Sequence, residues 1–386
     1  MLGLVLGALG YVQAQTTAGD KTCSANEVFG QAKDLLAGNR YDEAARSLDR
    51  LRICSQLTPI QTFEMGWLYG RARQFQTALN VFDHVPANVP DALTHRYAVA
   101  LSRFELSDYR GAITALEGLR SDGVYDAKSS NLLAVSYSKL GLYKQAYEVL
   151  TQEVKKEPND LATYLNLVTV CAEGGDYGKA SQVASQAAIL FPQSADVLVV
   201  RGAANSLLGR TGDARQDFST AAQLAPKRAD ARFFQALMDY NQAQYQAALA
   251  VLKKAEQDGV EDSDLHYLTA ETLLKVDGGN VEGAMAELGL AVHLNPESVA
   301  ARTLRGRLLL DRGEPKQAVQ DLETAKREDQ NSRSTLYNLA RAYRALGKDE
   351  QAAALFQQLR SEKPDILKEL SGRRLSESLA DKGAEK

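Results

Sequence analysis

Apolar residues along this chain fall at helical spacings, in two short runs that recur from one end of it to the other. In the last complete unit, one such run is followed by a turn at Gly347 and then by a second run. The first run is Leu336, Leu339, Ala340 and Tyr343, and the second is Ala352, Leu355, Phe356 and Leu359. Glycine suits a tight connection between helices because it tolerates a positive φ without steric cost. The pattern therefore predicts a unit of helix, short turn and helix.

The unit has a fixed period. Alanine recurs every 34 residues, apart from one interval that is longer by two residues, and proline recurs in the same phase. The alanines are Ala44, Ala78, Ala112, Ala146, Ala180, Ala214, Ala248, Ala284, Ala318 and Ala352, and the prolines are Pro90, Pro158, Pro192, Pro226, Pro296 and Pro364. Two residue types that share one period indicate a solenoid, in which each unit buries its apolar face only against its neighbours. This organisation overrides the two or three globular domains that length alone suggests.

With the recurrent alanine at position 20 of each unit, the chain contains ten repeats. They begin at Ala25, Pro59, Leu93, Ala127, Leu161, Ala195, Ala229, Ser263, Val299 and Arg333. The two additional residues fall in repeat 8 around Val276–Asn280, where we expect a longer turn. A small residue recurs at position 8, which allows two helices to cross closely. These residues are Ala32, Gly66, Ala100, Ala134, Gly202, Ala236, Ala270, Gly306 and Ala340.

A small residue at position 8, glycine at 15, alanine at 20, an aromatic residue or leucine at 24 and proline at 32 closely resemble the tetratricopeptide repeat family. The resemblance covers residues 25–364. It implies an all-α fold, a right-handed α-α superhelical solenoid of about ten helix-turn-helix repeats. It also implies that positions 2, 5, 9 and 12 of the first helices face a concave groove. Val168 departs from the small residue at position 8, and Asn205 and Asp239 replace apolar residues, which predicts looser packing there.

The two ends of the chain differ from the repeats. Residues 1–14 read as a candidate signal peptide, since an apolar run ends at a small residue, Ala14, and is too short for a membrane span. No Lys or Arg precedes Lys21, so the true start could lie upstream, and the alternative is an apolar leader that stays on a cytoplasmic protein. Beyond the repeats we expect a capping helix over residues 365–372 and a mobile charged tail over residues 373–386.

The three cysteines predict different roles. Cys23 precedes the first helix of repeat 1 and Cys54 follows near the end of the second, so antiparallel packing would bring them together. In an oxidising compartment they could form a disulfide, and the alternative is two unrelated free thiols. Cys171 occupies an apolar helix position and is expected to be an inert core thiol.

The net charge and the absence of catalytic motifs limit the classes of function that fit this sequence. The net charge is −4, so there is no basic excess for nucleic acid. The four histidines are scattered, and the sequence contains no zinc, nucleotide-loop or nucleophile-elbow motif. We therefore expect a protein that is not an enzyme, without a metal or cofactor, and with a protein or peptide as its partner. The oligomeric state is left open.

Two sets of groove positions are candidates for binding. Position 5 is often aromatic, and with Trp67 at position 9 it suggests an aromatic track. The track consists of Phe29, Phe63, Trp67 and Tyr97, with Phe233 and Tyr267 further along. The alternative is that these side chains pack between repeats. In the last two repeats Arg307, Arg341 and Arg344 lie near Tyr337 and Asn338, where an acidic segment or a chain terminus could dock. The alternative there is a solvated helix face.

Two functions fit this reading. The first is an exported, periplasmic or secreted scaffold that holds a peptide or partner helix in its groove, in bacterial envelope assembly or secretion. The second is a regulatory or substrate-presenting subunit of a separate enzyme, for instance in polysaccharide or glycan processing. The sequence selects neither a partner nor a pathway, and the concave and convex faces both remain open as the binding surface.

Overall fold

The computed structural model describes residues 24–53, 57–276 and 279–361, and across these residues the chain is all-α, a helical repeat solenoid without a β-strand. Its contacts divide the chain into two compact units, Met1–Tyr125 and Asp126–Lys386, which we call unit 1 and unit 2. Each unit is described by itself.

Unit 1 contains three pairs of helices. They are α1 (Ala25–Ala37), α2 (Tyr41–Asp49), α3 (Pro59–Arg71), α4 (Phe75–Phe82), α5 (Ala92–Glu105) and α6 (Tyr109–Ser121), with a 3₁₀ turn at Arg50–Ile53 after α2. Odd-numbered helices are the first helices of their repeats and even-numbered helices are the second helices.

Unit 2 continues the alternation with seven pairs. They are α7 (Ala127–Lys139), α8 (Tyr143–Lys156), α9 (Leu161–Glu173), α10 (Tyr177–Leu190), α11 (Ala195–Leu207), α12 (Thr211–Leu224), α13 (Ala229–Asn241), α14 (Tyr245–Gln257), α15 (Ser263–Leu273), α16 (Val281–Leu294), α17 (Val299–Asp311), α18 (Pro315–Glu328), α19 (Arg333–Ala345) and α20 (Asp349–Ser361). All first helices except α5, which starts one residue earlier, begin at the residue that the alanine period places at the start of a repeat.

The first helices begin where a short polar side chain caps them. In nine of the ten, a Ser, Thr or Asp accepts a hydrogen bond from a backbone N–H of the first turn, which satisfies one otherwise unpaired donor. At Thr58 the backbone N–H donates in return to the side-chain oxygen of Gln61, which completes a capping box. The exception is α13, where Arg228 occupies the cap position and pairs instead with Asp196 and Asp230.

The turn within each described repeat needs a left-handed residue at position 15. Five glycines occupy this position with φ between 71° and 78°. They are Gly141, Gly175, Gly209, Gly313 and Gly347. Asn39, Arg73, Ser107 and Ala243 occupy the same position with φ between 56° and 61°. The position therefore imposes the conformation, and the last four residues adopt it at a steric cost that glycine avoids.

Helices within a repeat pack through a complementary pair at positions 8 and 24. A Cβ added at Gly202 would lie 2.8 Å from the Phe218 ring, and one at Gly66 would lie 2.6 Å from Phe82. Where position 8 is alanine, position 24 is the smaller leucine in every repeat but the last, in which Ala340 is paired with Phe356. In repeat 5 the sizes are exchanged, since buried Val168 is matched by buried Ala184. The departure at Val168 is thus compensated within the same repeat.

Repeat 8 differs from its neighbours in its turn. Helix α15 ends at Leu273 after 11 residues, whereas most first helices have 13, and α16 starts only at Val281. Gly279 takes a φ of 63° in the connection, and Asn280 caps α16 by accepting from the backbone N–H of Gly283. The two additional residues are therefore taken up by a longer turn together with a shorter first helix.

The polar residues at position 11 of repeats 6 and 7 are built into contacts rather than loosely packed as expected. Asn205 is buried, accepts from Ser181 Oγ at 2.8 Å and donates to Asp217 at 3.3 Å. Asp239 is also buried and forms an ion pair with Arg215 at 2.8 Å, although its Oδ1 atom accepts no hydrogen bond in the described structure. Hydrogen bonds and charge pairing replace the apolar contacts that a leucine would make.

Several sequence predictions lie outside the described residues. These are the candidate signal peptide over residues 1–14, the cysteine pair Cys23 and Cys54, the capping helix over 365–372 and the tail over 373–386. None of the helices in the described ranges is both long and apolar enough to span a bilayer.

Candidate functional site

The first-helix face, formed by positions 2, 5, 9 and 12 of the first helices, is the surface that the sequence singled out. Much of its predicted aromatic track lies below that surface. Phe29, Phe63 and Phe233 are buried, and the Phe63 ring packs 5.4 Å from that of Phe82. These side chains contribute packing, as the alternative interpretation held, and offer no exposed surface. In these three repeats the surrounding structure covers position 5, so the aromatic side chain becomes core. At the same position Tyr97 and Tyr267 are only partly buried, and Tyr337 is exposed.

In unit 1 the face retains an apolar strip along α3 and α5. Ile60 is 62% exposed, while Trp67, Tyr97, Leu101 and Phe104 are partly buried. On α3 the two residues lie seven apart, and on α5 the three lie four and three apart, so each set follows one helix face. We call these five residues the α3–α5 strip.

The α3–α5 strip carries no charged side chain of its own. On the same side, Lys33 of α1 and Glu64 of α3 pair with each other at 2.6 Å. Trp67 packs against the core cluster of unit 1, so its ring is anchored rather than freely rotating. The strip therefore combines an exposed isoleucine with partly covered aromatic rings, a composition typical of binding surfaces.

In unit 2 the face is polar where repeats 7 to 9 meet. The Tyr240 hydroxyl donates to Glu271 Oε2 at 3.0 Å, and Tyr267 shares the same carboxylate. Burial, with Glu271 nearby, raises the pKa of both tyrosines above the ordinary range, while the charge of Arg307 acts in the opposite direction. Tyr267 and Arg307 were predicted from the sequence, and the structure brings them together around a carboxylate that the sequence reading did not single out.

The predicted arginines of repeat 10 lie in an aromatic setting. Tyr337 is 51% exposed, and its ring centroid lies 6.2 Å from that of Phe356. The guanidinium of Arg344 lies 4.8 Å from the centroid of the Phe356 ring, and that of Arg341 lies 6.0 Å from the centroid of Tyr337. We call Tyr337, Arg341, Arg344 and Phe356 the aromatic–arginine patch.

Arg341 has polar partners as well. It donates to Asn338 at 3.2 Å and to Asp311 at 3.1 Å. Asn338 is buried and donates to the Ser334 carbonyl at 2.9 Å, so it orients Arg341 from below and presents no surface itself. The structure brings these residues of α19 together and separates the ones that reach the surface from the supporting Asn338.

Sequence reasoning missed Ile60, Phe104, Glu271, Asp311 and Phe356. Ile60 is at position 2, and Phe104 is at position 12, so the positional rule that selected Tyr97 and Trp67 could have found them. Phe356 could not have been found in this way, because position 24 is buried in other repeats and is partly open only in the last described one.

The remaining reactive groups are used in packing. Cys171 is a buried free thiol whose pKa burial raises to about 11, which suits the inert role expected for it. His266 pairs with Glu287 at 2.7 Å, and His95 is buried beside the Phe63 and Phe82 rings. Over the described ranges, His, Cys, Asp and Glu side chains form no group of three or more that could hold a metal ion.

Alternating helices, a left-handed turn at position 15 and buried small residues at positions 8 and 20 define an all-α repeat solenoid that offers surfaces for protein partners. Family models described as tetratricopeptide repeat match residues 129–162, 269–333 and 309–370. The chain is a tetratricopeptide repeat protein.

The chain is also similar to solved structures. A tetratricopeptide repeat protein from Parabacteroides merdae is 18% identical, with a TM-score of 0.50 over 64% of this chain and 98% of that one. Yeast Tom70 is 15% identical, with a TM-score of 0.44 over 93% and 96% of the two chains. YrrB, a TPR protein with an unusual peptide-binding site, is 20% identical, with a TM-score of 0.37 over 52% and 99%. No curated protein matches the sequence significantly.

The repeats and the fold support a protein–protein interaction scaffold. The side chains exposed on each unit determine which surface binds a partner and what kind of partner it binds.

Proposed function

We propose that this protein is a non-enzymatic scaffold that holds a partner protein, as an extended peptide or a helix, against the first-helix face of unit 1. The observation that carries the proposal is the α3–α5 strip, where exposed Ile60 continues into the partly buried rings of Trp67 and Tyr97. Apolar side chains that share one helix face and remain open to solvent mark interaction sites. Rigid aromatic rings add contact area at a small cost in rotamer entropy.

We place this scaffold outside the cytoplasm, in the periplasm or secreted, and assign it to bacterial envelope assembly or secretion. The apolar run that ends at Ala14 supports export. Mass spectrometry of the mature protein tests this part separately, because an N-terminus within residues 1–14 of the sequence contradicts export, whereas a new N-terminus after that segment supports it.

The binding surface is tested by photo-crosslinking in the native cell. A photoreactive residue replaces Ile60, and a matched probe replaces Ile189, an isoleucine that is 80% exposed on the second helix α10. We expect one dominant protein adduct from position 60 and none of the same protein from position 189. Adducts that are the same at both positions, or that arise only at position 189, would place the binding surface elsewhere.

A substitution pair tests the same surface without a probe. Ile60→Asp places a charge in the α3–α5 strip, so capture of the crosslinked partner should fall by about tenfold or more, because an apolar contact is replaced by a desolvated carboxylate. Ile189→Asp makes the same chemical change on α10 and should leave capture unaltered. Circular dichroism should show equal helicity for both variants, and equal capture by both would contradict the assignment.

The identity of the adduct also separates the two functions considered from the sequence. A structural or secretion component would fit a scaffold of envelope assembly. An enzyme of polysaccharide or glycan processing, whose activity copurifies with this chain, would favour the role of a regulatory or substrate-presenting subunit.

A further inference from the structure

We infer that the aromatic–arginine patch of α19 and α20, together with Arg307 on α17, binds an acidic segment of a partner protein. The inference deepens the proposed scaffold function and rests on it, since it assigns a partner chemistry to a second surface, in unit 2.

Most arginines around α17 and α19 pair with carboxylates. These pairs are Arg302 and Arg305 with Asp321 at 2.8 Å and 2.6 Å, Arg312 with Glu282 at 2.7 Å, and Arg341 with Asp311 at 3.1 Å. Arg307 and Arg344 are exposed and form no ion pair within 4.0 Å in the part of the chain that the structure describes. The carboxylate near Arg307 is that of Glu271, which is bonded to Tyr240 and Tyr267 instead. Their charge is available to a ligand.

An aromatic ring holds the side chain of Arg344 in place. Its guanidinium stacks on the Phe356 ring at 4.8 Å, which restrains the side chain while leaving N–H groups at its edge free to donate. A planar guanidinium held in this way can bind a carboxylate through two parallel hydrogen bonds. The exposed Tyr337 ring beside Phe356 adds an apolar surface for the stem of an acidic side chain.

Arg341 already has a carboxylate partner within the chain, with which a ligand would compete. Asp311 pairs with Arg341 at 3.1 Å, and its side chain is largely exposed, so this carboxylate occupies the place that a ligand carboxylate would take. Asn338 orients the same guanidinium from the other side. Arg341 therefore contributes less to binding in this chain than its position suggests, and removal of the Asp311 charge should release it.

The charge of the face selects the ligand. At positions 2, 5, 9 and 12 of α17 and α19 there are three arginines and no Asp or Glu. The residues are Ala300, Thr303, Arg307, Leu310, Ser334, Tyr337, Arg341 and Arg344. Residues 362–386 carry as many acidic as basic side chains, so they do not complement this face, and an acidic segment of another protein does. Because neighbouring helices lie about 8–10 Å apart and an extended chain rises about 3.3 Å per residue, acidic residues about three apart would reach both free arginines.

The test uses the full chain and a short fluorescein-labelled peptide in which glutamate alternates with alanine. A second peptide has glutamine in place of every glutamate. Fluorescence anisotropy should show tighter binding of the glutamate peptide, which weakens as salt is added. Arg307→Gln and Arg344→Gln should each weaken this binding by about two- to fivefold, the size typical of an exposed ion pair.

Two further variants sharpen the result. Arg327→Gln removes the same charge from an exposed arginine of the second helix α18, which donates a hydrogen bond to Thr324, and should leave binding unchanged. Asp311→Asn frees Arg341 and should tighten binding of the glutamate peptide by about two- to fivefold. A general response to net charge would move Arg327→Gln and Arg344→Gln equally, which overturns the inference.

Equal affinity for the glutamate and glutamine peptides also overturns it. This failure is distinct from failure of the proposed function, because the crosslink from position 60 reports on unit 1 alone. If position 60 yields an adduct but the protein shows no preference for the glutamate peptide, the scaffold function stands and only the acidic ligand is rejected.

Discussion

Single residues of this chain are interpretable because the same position can be compared across ten repeats. Position 15 takes a left-handed backbone in the nine repeats where the structure describes it, although only five of these supply glycine there. Ala243 adopts a φ of 56° without a glycine, and its side chain is exposed. Gly141 adopts a φ of 73°, and a Cβ built on it would meet no atom within 4 Å. At these two residues the backbone conformation alone sets the energetic difference.

We predict that Ala243→Gly stabilises unit 2. Relief of the left-handed strain exceeds the entropy that glycine adds to the unfolded chain, so the free energy of unfolding should rise by about 0.5–1 kcal/mol. Urea denaturation followed by circular dichroism measures it. Gly141→Ala is the matched reversal and should lower the same quantity by about 1 kcal/mol. A destabilised Ala243→Gly variant would show that the turn is not strained.

A second prediction concerns the exchanged pair in repeat 5. Ala184→Leu alone should overfill the site beside Val168 and lower the free energy of unfolding by about 1–3 kcal/mol. Val168→Ala alone should also destabilise, because it leaves a cavity. The double variant restores the alanine–leucine combination of other repeats and should recover most of the loss, which a double-mutant cycle measures as a coupling of about 1 kcal/mol or more. Additive losses would mean that the two side chains do not share a site.

At the scale of helices, a tyrosine at position 11 bonds to an acidic residue at position 25 of the preceding repeat. The Tyr69 hydroxyl on α3 donates to Asp49 on α2 at 2.8 Å, and that of Tyr343 on α19 donates to Glu323 on α18 at 2.6 Å. Burial, together with the bond to Glu323, raises the pKa of Tyr343 to about 12. Since a solenoid is stabilised by interfaces between nearest neighbours, these bonds couple adjacent repeats.

Tyr343→Phe removes one such bond and keeps the ring. The free energy of unfolding should fall by about 1 kcal/mol, because the carboxylate loses a protein donor and regains water in its place. Hydrogen exchange should speed up in α19 and α20, the last helices of the described chain. Tyr337→Phe on the same helix is the control, since that ring is exposed, and it should change neither the stability nor the exchange. Equal effects of the two variants would contradict the coupling.

At the scale of the molecule, the two units contain histidines whose pKa values shift in opposite directions. In unit 2 the bond to Glu287 on α16, with Glu256 on α14 and Asp262 before α15, raises the pKa of His266. In unit 1 burial lowers the pKa of His95, and the charge of Arg96 lowers it further, while a bond to the Phe82 carbonyl opposes both. The Nε2 atom of His95 is buried and has no hydrogen-bond partner in the described structure. The stability of each unit should therefore depend on pH with opposite sign.

The direction follows from proton linkage. The raised pKa of His266 stabilises unit 2 fully below the ordinary value of 6.5, and this stability is lost as pH rises through the raised value. His95 stays neutral in folded unit 1 while the unfolded chain takes up a proton below 6.5, so unit 1 loses stability as pH falls. Hydrogen exchange of each unit on both sides of pH 6.5, corrected for the intrinsic rate, measures this contrast. His266→Gln should remove the dependence from unit 2, whereas His293→Gln, an exposed control, should not. A parallel response of both units would be evidence against it.

The sequence by itself determined the repeat, its phase and its helices, because each rests on local physics. Caps, turn residues and the spacing of buried small side chains act within one repeat or between neighbours, and so they leave a periodic record. The tertiary structure decided which of the marked residues are surface. Phe29 and Phe63 share a position with Tyr337, yet the first two are buried and the last is exposed. Likewise Arg341 and Arg307 share a position, but within the described residues Arg341 forms an ion pair, with Asp311, and Arg307 forms none. Exposure and pairing depend on what the adjoining repeat places opposite each side chain, and a period in one chain does not contain that information.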